Sequence, residues 1–482
     1  LNYRKQARYC YNRTDYMTLK LEKSRFSHMS AKKEDRRISF IVLVALFFSW
    51  GFIISMNDIL IPYLKDVFDL NYFQSMLIQF SFFGSFFIGS LLYFFISVRF
   101  GDIISRIGYK NGMSIGLLIA GVGSMGFYPA TVFHSYNLFL EALFCLGFGI
   151  CLLQIAANPY AALLGKERTA SSRLNLAQGV NSLGTVIGPL LGGYLIFKYF
   201  FNSKSNDALS VKIPYLVFAA IFISLSVIVK LTPFPEFHQE KKPDKGLGIF
   251  KYPQLVLGVL ALFLAVGAEV ATGSVLINFF GLENIAGLSP SKASKFVAFY
   301  WGGLMIGRLC GAVSFSEIKR QNKILLMGSI SLSAIGVIAF AHGIRIASIY
   351  SIFIMMNIVA FWYGKSLPGK TTGIFSLSII SLMLIVIFTN GQVAMWSVIG
   401  IGLFASIMWS NIFTLGIRGL GNYTSQGSSL LIMAILGAAL IPPLLGLIAD
   451  KFGIQFSFIV IIVCHLFVAW YGFIGHKHIK TE

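Results

Sequence analysis

Apolar residues run through this chain in about fourteen continuous stretches, each close to the ~20 residues that a helix needs to cross a bilayer. They lie at 38–64, 74–97, 112–132, 136–164, 174–200, 213–231, 253–281, 293–314, 323–342, 346–363, 373–390, 392–414, 425–449 and 453–474. Such runs carry their backbone polar groups into a solvent that cannot bond them, so only helices or a closed barrel satisfy them. The runs are continuous rather than alternating, which selects helices. Charged residues make up only 12% of the chain, about half the share of a soluble domain. The sequence therefore predicts an all-α polytopic membrane protein.

The chain carries 39 Lys and Arg against 19 Asp and Glu, a net charge of +20. A basic patch on a soluble domain would point to nucleic acid, but here the basic residues sit in short gaps between apolar runs, as Lys32, Lys33, Arg36 and Arg37 do. That distribution retains loops in the cytoplasm and predicts no nucleic-acid partner. The gaps around Arg99–Lys110, Lys166–Arg173, Lys241–Lys251 and Lys319–Lys323 are basic and alternate with weakly charged ones, so both termini are expected in the cytoplasm. The gap 198–212, with Lys198, Lys204, Lys212 and Asp207, runs against the rule. Residues 1–28 are polar and basic without the apolar core of a signal peptide. They read as part of a cytoplasmic tail, 1–37, or as sequence ahead of a start at Met29.

Four of the five cysteines lie in apolar runs and none forms a CxxC, and the seven histidines include no HExxH. The cysteines read as small buried thiols, and neither a metal site nor a cofactor is expected. A membrane-embedded transferase would need a DxD motif or a paired base and nucleophile, and a sensor would carry a soluble output domain. The sequence shows neither, so no enzyme is expected.

The segment 232–252, with two X-Pro turns and mixed charge, divides six spans (38–231) from eight (253–475), leaving a short tail at 476–482. The two parts repeat. Gly51 matches Gly267, and Phe83-Gly84-Ser85-x-x-Ile88-Gly89 matches Trp301-Gly302-Gly303-x-x-Ile306-Gly307, at offsets of 216 and 218. Asn158-x-Tyr160 matches Asn411-x-Phe413, and Pro189 to Gly192 matches Pro443 to Gly446, at 253 and 254. Internal repeats mark transporter folds. The offset grows by about the length of two spans, which predicts two six-helix pseudo-repeats plus an inserted helix pair at 323–363 that stays clear of the central cavity. The glycines of the second match read as close-packing positions.

Ionisable residues deep in a span are functional candidates. Asp58, beside Asn57, lies in the first span and Glu269 in the seventh. Gln154 and Asn158 share a helix face at i, i+4, with Pro159 freeing a backbone carbonyl beside them. Asn175, Gln178, Asn181 and Ser182 share another face. Carboxamides both donate and accept, which suits a ring of sugar hydroxyls, although they also tie helices together. Asn57, Gln154, Asn158, Gln178, Asn181 and Asn411 are the expected substrate contacts, and Asp58 and Glu269 the expected cation-coupling acids. Trp50, Tyr300, Trp301 and Trp409 sit near span centres and read as packing first and sugar-stacking rings second. Arg418 has no reading from the sequence.

The segments SMNDILIPYLKDVFDLNYFQS, QIAANPYAALLG, SSRLNLAQGVNSLGTVIGPLLGG, FVAFYWGGLMIGRLCG and NIFTLGIRGLGNYTSQGSSLLIMAILG together resemble the bacterial fucose permease family, and most its glucose/galactose transporter branch, to which VGAEVATGS is also similar. Arg106-Ile-Gly-Tyr-Lys110 has the form of the facilitator loop between the second and third spans, with Asp102 placed to pair with Arg106 at i, i+4. The resemblance covers 38–475 apart from the inserted pair. It implies the major facilitator fold and a monomeric inner-membrane symporter that couples a monosaccharide to H⁺ or Na⁺ by alternating access. Asp58 fits that family's first-span acid, while Gln154 stands where the fucose permease carries a fourth-span Glu. Gln154 with Glu269 is similar to the glucose/galactose branch, and Gln178 and Asn181 fit the fifth-span polar residues. An exporter of sugars or drug-like compounds is the alternative, with a greasier cavity than these carboxamides suggest.

Overall fold

The computed structural model describes residues 35–56, 60–61, 63–65, 67–70, 72–193, 209–235 and 246–477. Among them the chain is helical, without strands. Fourteen long helices follow in order. The first half holds α1 (Asp35–Met56), α2 (Tyr72–Phe100), α3 (Tyr109–Val132), α4 (Tyr136–Leu163), α5 (Ala170–Gly193) and α6 (Leu209–Leu231). The second holds α7 (Pro253–Gly281), α8 (Pro290–Ser314), α9 (Arg320–His342), α10 (Ile344–Gly364), α11 (Pro368–Phe388), α12 (Gly391–Gly416), α13 (Gly421–Phe452) and α14 (Ile454–Lys477). Thirteen are long and apolar enough to cross a membrane. The exception is α5, whose Asn, Gln and Ser residues lower its hydropathy because they face protein. Proline at the first helical position starts α7, α8 and α11, where its missing N–H is no loss.

The packing repeats as the sequence does. In the first half α3 lies against α4 and α6, and α2 against α4. In the second, α11 lies against α12 and α14, and α8 against α12. Gly51 on α1 meets α5 so closely that a Cβ would stand 2.3 Å from the Asn181 carbonyl oxygen. Its repeat mate Gly267 on α7 meets α13 in the same way, with Ile441 Cγ1 at 2.3 Å. Without a hydrophobic force between helices in lipid, such close approach is what holds them. The second glycine match divides: Gly89 and Gly307 press on α4 and α12, whereas a Cβ at Gly84 would touch only its own helix's Phe80 and at Gly302 nothing.

The helices without a mate in the first half are α9 and α10. They turn at Gly343, which takes φ +90°, and pack on each other and on α8, with α10 also on α11 and α12. Only 11% of the most apolar window of α9 is buried, against 33% for α10, so α9 lies at the periphery and α10 nearer the bundle. Asn357, a buried residue of α10, anchors it by donating from Nδ2 to the Leu403 carbonyl at 3.0 Å.

The expected Asp102–Arg106 pair does not form. Asp102 is buried, accepts from the Tyr93 hydroxyl and from Ile104 N–H (3.1 Å), and so caps the short helix Ile103–Ile107. Arg106 donates to the Phe100 carbonyl instead. The cap gives the carboxylate a backbone partner that the i, i+4 geometry leaves out. Burial pushes the Asp102 carboxyl above its ordinary value, against the opposing pull of the Tyr93 hydrogen bond.

Candidate functional site

The two halves meet through α5 against α8 and α12, and through α13 against α2 and α4. Polar contacts between them gather at the end of the bundle that carries the basic gaps, here called the basic end. Ser171 and Thr414 share a hydrogen bond of 2.7 Å, Ser172 donates to the Ala312 carbonyl at 2.5 Å, and Ser425 meets the Tyr109 hydroxyl at 3.3 Å. At the rim, Lys166 pairs with Glu317 at 3.1 Å, Arg168 also pairs with Glu317, and Arg418 Nε reaches Glu167 at 2.6 Å. The Arg168 and Lys166 partners hold the Glu317 carboxyl below its ordinary value. Arg418 is thereby accounted for: its partner lies in the other half, 251 positions away.

One turn or so inward, about 7 Å from that end at 1.5 Å per residue, Asn175 donates to Asn411 Oδ1 at 3.2 Å. Asn411 in turn donates to Thr372 Oγ1 (3.2 Å) and the Pro368 carbonyl (3.3 Å). Its carboxamide is taken up by protein on both sides. Asn158 lies at similar depth, fully buried, and neither side-chain polar atom finds a partner among the described residues.

Deeper still, about 13 Å from the basic end, Gln154 on α4 and Gln178 on α5 lie at one level, each 5–6% exposed. Neither carboxamide is committed to a hydrogen bond among the described residues, which leaves donors and acceptors from two helices at one depth. Asn181, one turn further along α5, donates to the Phe47 carbonyl of α1 at 2.8 Å and keeps its oxygen.

Beside this level a residue that the sequence reading missed joins the halves. Arg308 of α8 lies 3.9 Å from Glu269 of α7, with both side chains mostly buried. It donates through Nε to the Ser406 carbonyl (3.2 Å) and through Nη1 to Ser182 Oγ of α5 (2.6 Å). The Tyr300 hydroxyl donates to the Glu269 carbonyl at 2.9 Å, which accounts for that central ring as packing. Trp409 stacks on Phe413 at 5.1 Å and Trp50 lies against Phe47 at 3.9 Å. The signal for Arg308 was present, an arginine within span 293–314 in the Ile-Gly-Arg-Leu sequence, but its acid lies one helix away. Asn57 and Asp58 lie outside the described residues. So six of the eight expected site residues are placed: five amides, which sort into committed and uncommitted, and Glu269, which is held by Arg308.

A profile described as the Major Facilitator Superfamily matches residues 16–173 and 88–368. The chain belongs to the major facilitator superfamily. This facilitator is 41% identical over 440 residues to the glucose/galactose transporter of Brucella abortus, across 90% of this chain and 93% of that one. It is 36% identical over 448 residues to the putative glucose/galactose transporter of Helicobacter pylori, across 90% and 96%. It is 30% identical over 440 residues to the L-fucose-proton symporter of Escherichia coli, across 86% and 88%. Its fold matches the crystal structure of the facilitator FucP in the outward conformation with a TM-score of 0.73 and 27% identity, across 92% of this chain and 99% of that one.

Proposed function

We propose that this facilitator imports a hexose by cation symport, working as a single chain in a bacterial inner membrane with both termini in the cytoplasm. The observation that carries the reading is the pair of uncommitted carboxamides, Gln154 and Gln178, at one depth on facing helices. Such a pair can bind a hydroxyl ring by donating and accepting at once, and a buried amide is stable without protein partners only if something else fills its hydrogen bonds. The relatives named for glucose/galactose and for L-fucose with a proton support the same substrate class.

Asn181 supplies an oxygen at the next turn, while Asn158 waits at the turn nearer the basic end. Asp58, with Asn57 beside it, carries the coupling cation, and Gln154 does not titrate. Glu269, held by Arg308, takes part through that pair: loading it with a proton or cation loosens Arg308 from the carboxylate and so from Ser182 across the interface. The basic end is the cytoplasmic end, and its ion pairs and the Asn175–Asn411 bond hold it shut while sugar enters from the other side. Release inward requires those ties to part.

The test is uptake of labelled glucose, galactose and fucose into vesicles, with Na⁺ and pH gradients imposed separately. Accumulation of one of these sugars that depends on one gradient is the expected result, and Asp58→Asn should abolish that accumulation while leaving the protein in the membrane. Absence of uptake under both gradients, or full accumulation by the variant, overturns the reading.

A further inference from the structure

The inserted hairpin carries a feature that symport does not use. Where α9 begins and α10 ends, a cleft of about 700 Å³ opens at the basic end. Its lining includes three cationic side chains, Arg320, Lys323 and Lys365, and no Asp or Glu. Lys323 is fixed by donating to the Ser314 carbonyl at 2.7 Å and to Ser366 Oγ at 2.9 Å, and an ammonium has three N–H donors, so one remains. Arg320 and Lys365 are exposed, and neither makes an ion pair among the described residues. The first N–H groups of α9 have no side-chain cap and add to the positive rim.

Below that rim the cleft is apolar. Ile324 and Ile358 line it, and a Cβ at Gly328 would meet nothing within 4 Å, so the groove stays open beside the α9 backbone. Trp362, 60% exposed, stands at the level of the rim, where tryptophan sits at a membrane interface. A free anion would need only the cations. A cationic rim above an open aliphatic groove on a lipid-facing helix fits an amphiphile with a negative headgroup.

We propose that an anionic phospholipid seats in this cleft, its phosphate held by Arg320, Lys323 and Lys365 and one acyl chain lying along the groove past Gly328. Basic pockets between spans on the side where basic loops gather are where such headgroups bind. The occupant would also brace the segment 315–319, whose Glu317 ties the basic end to Lys166 and Arg168 of the first half.

The experiment is native mass spectrometry of the delipidated full chain, titrated with phosphatidylglycerol, with phosphatidylcholine of the same chains, and with glycerol 3-phosphate as the headgroup alone. Phosphatidylglycerol should be retained in preference to both. The double variant Arg320→Gln/Lys365→Asn should lower that retention by about tenfold or more, with asparagine chosen because position 365 has φ +51°. Lys251→Gln, removing an exposed charge outside the cleft, should leave it unchanged. Equal retention of the two lipids, equal binding of glycerol 3-phosphate, or an unaltered double variant each overturns the proposal. Should the variant fail to fold, photoactivatable phosphatidylglycerol on the unmodified chain decides: labelling within 320–328 or 358–366 supports the site, and labelling elsewhere refutes it.

Discussion

Two levels of buried amides differ in what their side chains do: one ties the halves together, and the other, on α4 and α5 of the first half, ties nothing. Near the basic end Asn175 and Asn411 bond each other, and Asn411 also holds α11 through Thr372 and Pro368. A turn or two deeper, Gln154 and Gln178 are also buried, at 5–6% exposure against none for the asparagines, and their side chains hold no partner among the described residues. Both levels are built of carboxamides, which donate and accept alike. What separates them is whether a neighbouring helix offers its own carbonyl or hydroxyl to the amide, as α11 does to Asn411. Arg308 marks the boundary, since it is committed in three directions at once.

The hardest blow to this division is at Arg308. Removing it leaves Glu269 buried without a partner, and breaking such a pair costs about 3–5 kcal/mol. Arg308→Leu should therefore lower the thermal unfolding temperature in detergent more than any carboxamide change. The double variant Arg308→Leu/Glu269→Leu should regain stability, because the stranded charge is gone, but not transport. A double variant as unstable as the single one would show that the loss lies in packing and not in the pair.

The uncommitted level should respond the other way round. Gln154→Ala and Gln178→Ala should each weaken sugar binding about tenfold to a hundredfold, the loss expected for one or two hydrogen bonds to substrate. Neither breaks a bond within the protein, so the unfolding temperature should hold. Isothermal titration alongside thermal unfolding separates the two effects. Wild-type affinity in Gln154→Ala would move the sugar site away from α4.

In the committed level, Asn411→Ala should cost about 1–2 kcal/mol of stability, because the Asn175 amide loses one of its two acceptors and Thr372 and Pro368 lose a donor in a buried setting. Sugar affinity should be unchanged in the same titration. An affinity loss equal to that at Gln154 would erase the distinction between the levels.

The spans and the inserted pair were legible because both are written in one dimension, as run length and as a jump in repeat offset. The structure adds that Gly51 and Gly267, matched in that repeat, meet the corresponding helices α5 and α13. The site was half legible. The sequence marks which face of α4 and α5 is polar, since i, i+4 spacing fixes a face, but both levels read alike until the opposite helix is present. Arg308 and Arg418 were opaque for the same reason, because their acids lie on other helices. The i, i+4 pairing of Asp102 with Arg106 fails because Asp102 lies outside the helix, as its cap.

The smallest effect, and the one that tests whether the rim belongs with the committed level, is pH dependence at Glu317. Arg168 and Lys166 depress its carboxyl below the ordinary value only while the basic end is closed, since both lie in the other half. A carboxyl whose pKa is lower in the closed state favours closure above its ordinary pKa, and the benefit fades as pH falls through the depressed value. Distance measurements between spin labels on the two halves at the basic end should therefore show the closed population falling as the medium is acidified below the ordinary carboxylate range. The pair is exposed to solvent, so the shift should be modest and should shrink further with added salt. Glu317→Gln should remove this acid-driven opening and raise the open population at neutral pH, while the bonds of Asn175 and Ser171 keep part of the population closed. If the acid response survives in Glu317→Gln, another carboxyl carries it, and buried Asp102 is not that group: its pKa is raised, so acid neutralises it and favours the buried arrangement. Glu167, paired with Arg418, would then be the next substitution to make.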